Sequence, residues 1–189
     1  LTLDDVDLLG RRDWRGVRGR RVAMIFQDPA ASLNPTFTLG EQLVHVIGHH
    51  LGQKGVAART RAAELLVDVG LPDVERILRA YPHQLSGGMQ QRAMMALALA
   101  SGAQFLIADE PTTALDVTIQ AQMLRLLKGL RDRHGLTILL ITHDLGVVAE
   151  VCDTVGVMHR GRLVERGARE AVFGRPRHEH TRALLAAQP

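Results

Sequence analysis

Two adjacent acids, Asp109 and Glu110, follow the apolar run Phe105-Leu106-Ile107-Ala108 and precede Pro111. Four such residues make a buried strand. The acids therefore stand at its carboxyl end, the edge at which open α/β sheets bind ligands. A carboxylate held there is costly unless a cation or hydrogen-bond donors meet it. An Asp in that place suits a Mg²⁺ ion that carries phosphate. A Glu beside it, aimed elsewhere, suits polarising a water for attack on phosphorus. Taken alone, the motif reads equally well as a strand ending in solvated acids.

Three further pieces have chemistry to offer. In Leu85-Ser86-Gly87-Gly88-Met89-Gln90-Gln91-Arg92 two glycines expose backbone N–H groups directly before a helix that Ser86 can cap. The positive end of that helix would attract phosphate, although an ordinary capped Ser-Gly-Gly loop accounts for the tetrapeptide as well. In Ile141-Thr142-His143-Asp144 a strand ends in a histidine that can donate to a phosphate oxygen, or serve the structure alone. Gln27 ends an earlier strand, and one glutamine carries no argument by itself.

The elements that must position these residues follow from periodicity and punctuation. Residues 21–26 read as a buried strand, and residues 28–38 as a loop. A helical stretch follows, with helices over 39–51, 57–69 and 73–79, closed by Tyr81-Pro82. A helix over 89–100 leads to the strand 105–109. Then come a helix over roughly 118–133, the strand 137–141, a helix near 145–151, and two short strands, 154–158 and 162–165. Hydrophobic strands alternating with helices predict a parallel sheet covered on both faces, here interrupted by a helical insertion. Residues 1–19 are polar and irregular, with no strong strand.

Composition narrows the function. Aromatics are only 3% of the 189 residues, which argues against stacking platforms for single-stranded nucleic acid. The net charge of +3 is spread along the chain with acids interleaved, which reads as a solvated surface and not as a nucleic-acid footprint. One cysteine, Cys152, excludes a disulfide within the chain and points to a reducing compartment. Apolar runs such as 137–141 are strand-sized, so a membrane role would come through a partner.

The order of the pieces is more specific than any one of them. A glutamine after a strand, a helical insertion, LSGG, an apolar strand ending in Asp-Glu, Ala114-Leu115-Asp116, then a strand ending in His: this series resembles the ABC ATPase family from about Arg20 to Leu185. The wording Phe26-Gln27-Asp28-Pro29, Ser32-Leu33-Asn34-Pro35, Tyr81-Pro82-His83-Gln84, Ala108 to Thr118, and Thr181-Arg182-Ala183-Leu184-Leu185 looks like its dipeptide/oligopeptide importer branch, which nickel importers share. The fold so implied is a P-loop NTPase-like ABC ATPase core with a mostly parallel sheet and a helical subdomain, in which residues 39–100 hold the subdomain and the signature helix.

The resemblance also implies roles. Asp109 would ligate Mg²⁺, with Gln27 near the metal and the attacking water. Glu110 would be the general base, and His143 would contact the γ-phosphate. Ser86, Gly87 and Gly88 would bind the γ-phosphate of ATP held by an opposite subunit, and Asp116 would lie across the dimer interface. Implied partners are a second ATPase subunit, identical or related, two transmembrane permeases and, indirectly, a solute-binding protein, at the cytoplasmic face of the inner membrane. A DNA-repair member would carry a long coiled-coil insertion after Gln27, a translation member a second cassette, which a truncated chain would not display, and a degenerate subunit would have lost Glu110 or His143; the 189 residues carry none of these marks. One departure stands out. A P-loop needs Gly-Lys-[Ser/Thr], yet neither Lys54 nor Lys128 follows a glycine or precedes Ser or Thr. The family places this loop upstream of Gln27. The expectation is an N-terminally truncated piece of a longer ATPase, inactive alone.

Overall fold

The computed structural model describes residues 2–3, 6–7, 13–112 and 116–187. Its centre is a three-stranded parallel sheet of β3 (Val22–Ile25), β4 (Phe105–Asp109) and β5 (Thr137–Ile141), in that spatial order. The register sets Ile25 beside Ala108, and Asp109 beside Ile141, so the strands end together at one edge. Two small antiparallel pairs complete the strands: β1 (Thr2–Leu3) with β2 (Val6–Asp7), and β6 (Thr154–His159) with β7 (Arg162–Ala168). The short pair near the start stands where the sequence predicts no strong strand.

The crossover from β3 to β4 holds the helical insertion. A single turn, α1 (Pro29–Ser32), occupies the predicted loop. Then come α2 (Leu39–Leu51), α3 (Gly55–Asp68), α4 (Val74–Arg79) and α5 (Gly87–Ala100). Helix α2 begins at a reciprocal cap: the Thr38 hydroxyl accepts from the Glu41 amide, and the Glu41 carboxylate accepts from the Thr38 amide at 2.7 Å. It stops at Gly52, whose φ of +71° favours glycine. Leu39, Leu43 and Ile47, four residues apart, form its buried stripe.

Helix α6 (Val117–His134) joins β4 to β5. Arg131, Arg133 and His134 lie in its last turn, where cations suit the dipole. There Arg133 donates to the Asp68 carbonyl at 2.8 Å, and His134 Nε2 lies 3.1 Å from the Asp68 carboxylate, so the end of α6 is tied to the end of α3. Helix α7 (Leu145–Val151) follows β5, and α8 (Arg169–Gly174) and α9 (Glu179–Ala186) close the chain's described part.

One face of the sheet is buried. Ala23, Ile25, Leu106, Ala108, Ile138 and Leu140 share a core with α2, α3, α5 and α6. The opposite face departs from the predicted two-sided cover. Its residues on β5, Leu139 and Ile141, are 48% and 45% exposed, and Phe26 just past β3 is 50% exposed.

Candidate active site

The turn after β4 brings three of the expected residues together. Glu110 adopts φ +44°, a left-handed conformation rare for a side chain of its size. Its amide donates to the Ile141 carbonyl at 2.9 Å, tying the turn to the end of β5. Its carboxylate is then met from both sides. Gln27 Nε2 donates to Oε2 at 3.3 Å, and His143 Nδ1 lies 3.0 Å from Oε1. Such backbone strain costs about 1–3 kcal/mol, roughly what two or three hydrogen bonds return.

The electrostatics follow from that contact. The Glu110 hydrogen bond, then its charge, raise the His143 pKa above the ordinary histidine value; desolvation opposes them, and the Asp144 charge adds least. With Glu110 ionised, Nδ1 donates to it. The neutral ring then presents a bare Nε2, and only the protonated ring presents an Nε2–H outward. His143 is exposed, so Nε2 has open access.

Asp144, the next residue, anchors the loop that carries His143. Its Oδ1 accepts from the Gly146 and Val147 amides at 2.8 and 3.2 Å, capping α7, and Oδ2 accepts from Gln120 Nε2 at 2.9 Å. These donors, Gln120 first, keep its carboxyl below the usual range against a desolvation that opposes them. Sequence alone assigns no role to Gln120 or Asp144; the signal for Asp144 is an acid directly before α7, where a cap belongs.

Asp109 is half-buried at the end of β4, beside Glu110, and has no ion-pair partner among the described residues. No group of three metal-ligating side chains occurs among those residues. An Mg²⁺ ion there fits the hard-oxygen chemistry of Asp109 if phosphate oxygens and water complete its shell, the usual arrangement for this ion.

The remaining residues sit apart from this cluster. Ser86 occupies the N-cap position of α5, but its side chain makes no capping bond, contrary to expectation. Helix α5 begins at Gly87 and not at Met89, which makes the two glycines its first turn. A Cβ added to Gly87 or Gly88 would meet nothing within 4 Å. An open groove beside them is lined by Ser86, Gly88, Met89, Arg92, Ile119 and Met123. No hydrogen bond joins Ser86, Gly87 or Gly88 to Gln27, Asp109, Glu110 or His143 among the described residues. Asp116 caps α6, accepting from the Ile119 amide at 2.9 Å. Ala114 and Leu115, read with it as one motif, lie outside the described residues.

The ABC transporter family profile matches residues 1–113, more than half of the chain. The chain belongs to the ABC transporter family. Among the relatives of this ABC chain is the probable peptide ABC transporter ATP-binding protein y4tR of Sinorhizobium fredii, 53% identical over 96% of the chain and 54% of that protein. Another is the oligopeptide transport ATP-binding protein AppD of Bacillus subtilis, 50% identical over 100% of the chain and 58% of that protein. The chain thus spans about half the length of these two relatives. The fold matches the ATP-binding cassette MJ0796, solved as a dimer in a post-hydrolysis state with ADP and Pi, with a TM-score of 0.68 and 30% identity over 81% of this chain and 65% of that one. The α/β core with its parallel sheet and helical insertion is therefore that of an ABC cassette.

Proposed function

We propose that the complete protein is the ATP-hydrolysing subunit of an importer for di- or oligopeptides or related cargo such as nickel. The observation that carries this reading is the meeting of Gln27, Glu110 and His143 at the sheet edge where Asp109 ends β4. Phosphoryl transfer to water needs a positioned base, neutralised charge and a donor near the γ-phosphate more than covalent chemistry. Glu110 supplies the base, Asp109 the metal's carboxylate, and His143 a donor through Nε2. Gln27 keeps Glu110 from straying and would help to hold the metal. Mg²⁺, when bound, would neutralise phosphate charge.

Ser86, Gly87 and Gly88 would serve the nucleotide of a second ATPase subunit. The supporting fact is steric. Nothing among the described residues requires glycine at 87 or 88, and neither has a positive φ, so the bareness of that helix start suits something arriving from outside. Exposed helix N–H groups attract phosphate. Asp116 would lie at the same interface. That the cassette MJ0796 was solved as a dimer with ADP and Pi supports a second subunit as the thing that arrives. The main grip on the phosphates is expected from a P-loop, and the 189 residues contain no Gly-Lys-[Ser/Thr].

The names of the relatives, a peptide ABC transporter ATP-binding protein and an oligopeptide transport ATP-binding protein, support peptide cargo; two permease partners, with a solute-binding protein acting indirectly, complete the proposal. Among the described residues no helix is long and apolar enough to cross a membrane; the proposal places the protein at the cytoplasmic face of the inner membrane, held there by those permeases. The test is ATP turnover by the complete protein and by Glu110→Gln. The variant is expected to bind ATP and dimerise while turnover falls by at least about 100-fold, the range for loss of a catalytic base. Turnover at the normal rate would sink the assignment.

A further inference from the structure

Gln91 is buried at 3% exposure on a stripe of α5 that is otherwise apolar: Met94, Met95 and Leu99 continue it at helical spacing. A polar side chain so buried needs a partner, and its amide Nε2 donates to the Pro111 carbonyl. Pro111 follows Glu110 directly, has no N–H of its own, and is itself buried. The turn carrying Glu110 is thereby held at two points. The Glu110 amide is fixed to Ile141 on β5, and the next carbonyl is fixed to α5. A left-handed glutamate persists only where its surroundings over-determine it, and these two bonds are what the backbone provides.

The neighbours of Gln91 point elsewhere. Gln90 Nε2 donates to the carbonyls of Pro82 and Leu85, bracing the approach to Ser86, and Arg92 donates to the Val69 carbonyl at the end of α3. Three consecutive side chains thus bind three separate segments, and only Gln91 reaches the catalytic turn. It stands one helical turn beyond Gly87 and Gly88.

We infer that Gln91 is a positioning residue: its buried amide, bonded to the Pro111 carbonyl, ties the Ser86–Gly88 segment to the strained turn that aims Glu110. Events at the start of α5, including arrival of a second subunit's nucleotide, are thereby felt at the general base. The inference rests on the hydrolytic reading of Glu110.

The experiment uses the complete protein with Gln91→Leu, which keeps the volume and removes the donor, and Gln91→Glu, which keeps the shape and cannot donate when ionised. Both are expected to lower kcat about tenfold or more with KM for ATP within about twofold, because the loss falls on the chemical step. Amide exchange at Glu110, relative to the amides of β4, is expected to rise about tenfold in Gln91→Leu as the turn loosens. Wild-type kcat in both variants, or an unchanged Glu110 exchange ratio, overturns the inference. Glu110→Gln measured alongside separates the two readings. If it turns over normally, the hydrolytic assignment fails whatever Gln91 does. If it is inactive while both Gln91 variants are normal, only the positioning role fails.

Discussion

Glu110 and His143 stand 3.0 Å apart across the ends of β4 and β5, and the contact raises the pKa of the histidine. Because Asp109 pairs in register with Ile141, the residues just past the two strands are brought face to face by the sheet itself. The histidine is 74% exposed in its side chain, so the pair is a matter of chemistry more than of stability.

The first consequence is a pH dependence. Glu110 raises the His143 pKa, so the ring is expected to titrate above the ordinary value of about 6.5. The sign follows from linkage. What the pair adds to folding is fully present below about pH 6.5 and is lost as pH rises through the raised value. An NMR titration of the His143 ring checks this. Glu110→Gln should bring the midpoint back to about 6.5, and an unchanged midpoint would show that the glutamate is not the cause.

At the start of α5, stability and association should part company. Gly87→Ala meets no intrachain obstacle, and alanine is better than glycine by up to about 1 kcal/mol in a helix interior, less in a first turn. The melting temperature should hold or rise slightly while ATP-driven dimerisation weakens. Ser86→Arg, with bulk and charge at the same place, should abolish dimerisation. Analytical ultracentrifugation with ATP, using the Glu110→Gln background, reads the effect, and unaltered dimers in Ser86→Arg would remove this segment from the interface.

Asp144 serves α7 and the loop that carries His143. Asp144→Ala removes two amide contacts and the bond from Gln120. A lost cap costs about 1 kcal/mol, up to about 2. Chemical denaturation should show a loss in that range, and a loss below about 0.3 kcal/mol would mean that the cap is redundant.

The far end of the chain offers an acid-sensitive clasp. The Thr181 hydroxyl and the amides of Arg177 (2.8 Å) and His178 (3.0 Å) gather around Glu165, and its pKa is lowered to about 2. For a lowered carboxyl the contribution is present above the ordinary value near 4.3 and lost as pH falls from there toward 2. Docking of α9 should therefore weaken in acid, and Glu165→Gln should weaken it at neutral pH. Amide exchange in residues 179–186 measures both, and equal protection in wild type and variant at pH 7 would contradict it.

Much of this was legible in the residues. Strand 137–141 and helices 39–51 and 145–151 have the bounds their periodicity and flanking glycines or caps predict. The site was legible as a set of strand ends: Gln27, Glu110 and His143 each follow a strand of the same sheet. Two things were hidden. The left-handed turn at Glu110 is a backbone feature with no glycine to announce it. Gln91 looked like part of a signature, when its meaning lies in a carbonyl twenty residues away. The predicted two-sided burial failed on β5 because an apolar strand tells how much surface wants cover, and not which element supplies it.

That half-exposed face has a practical side. Leu139 and Ile141 on β5, and Phe26 just past β3, each stand about half exposed, and among the described residues β5 pairs with β4 alone. Apolar patches of this sort are adhesive, and an open strand edge invites pairing with another chain. Purified by itself, this stretch of polypeptide should scatter light increasingly as it is concentrated, and polar substitutions at Leu139 and Ile141 should make it easier to keep in solution.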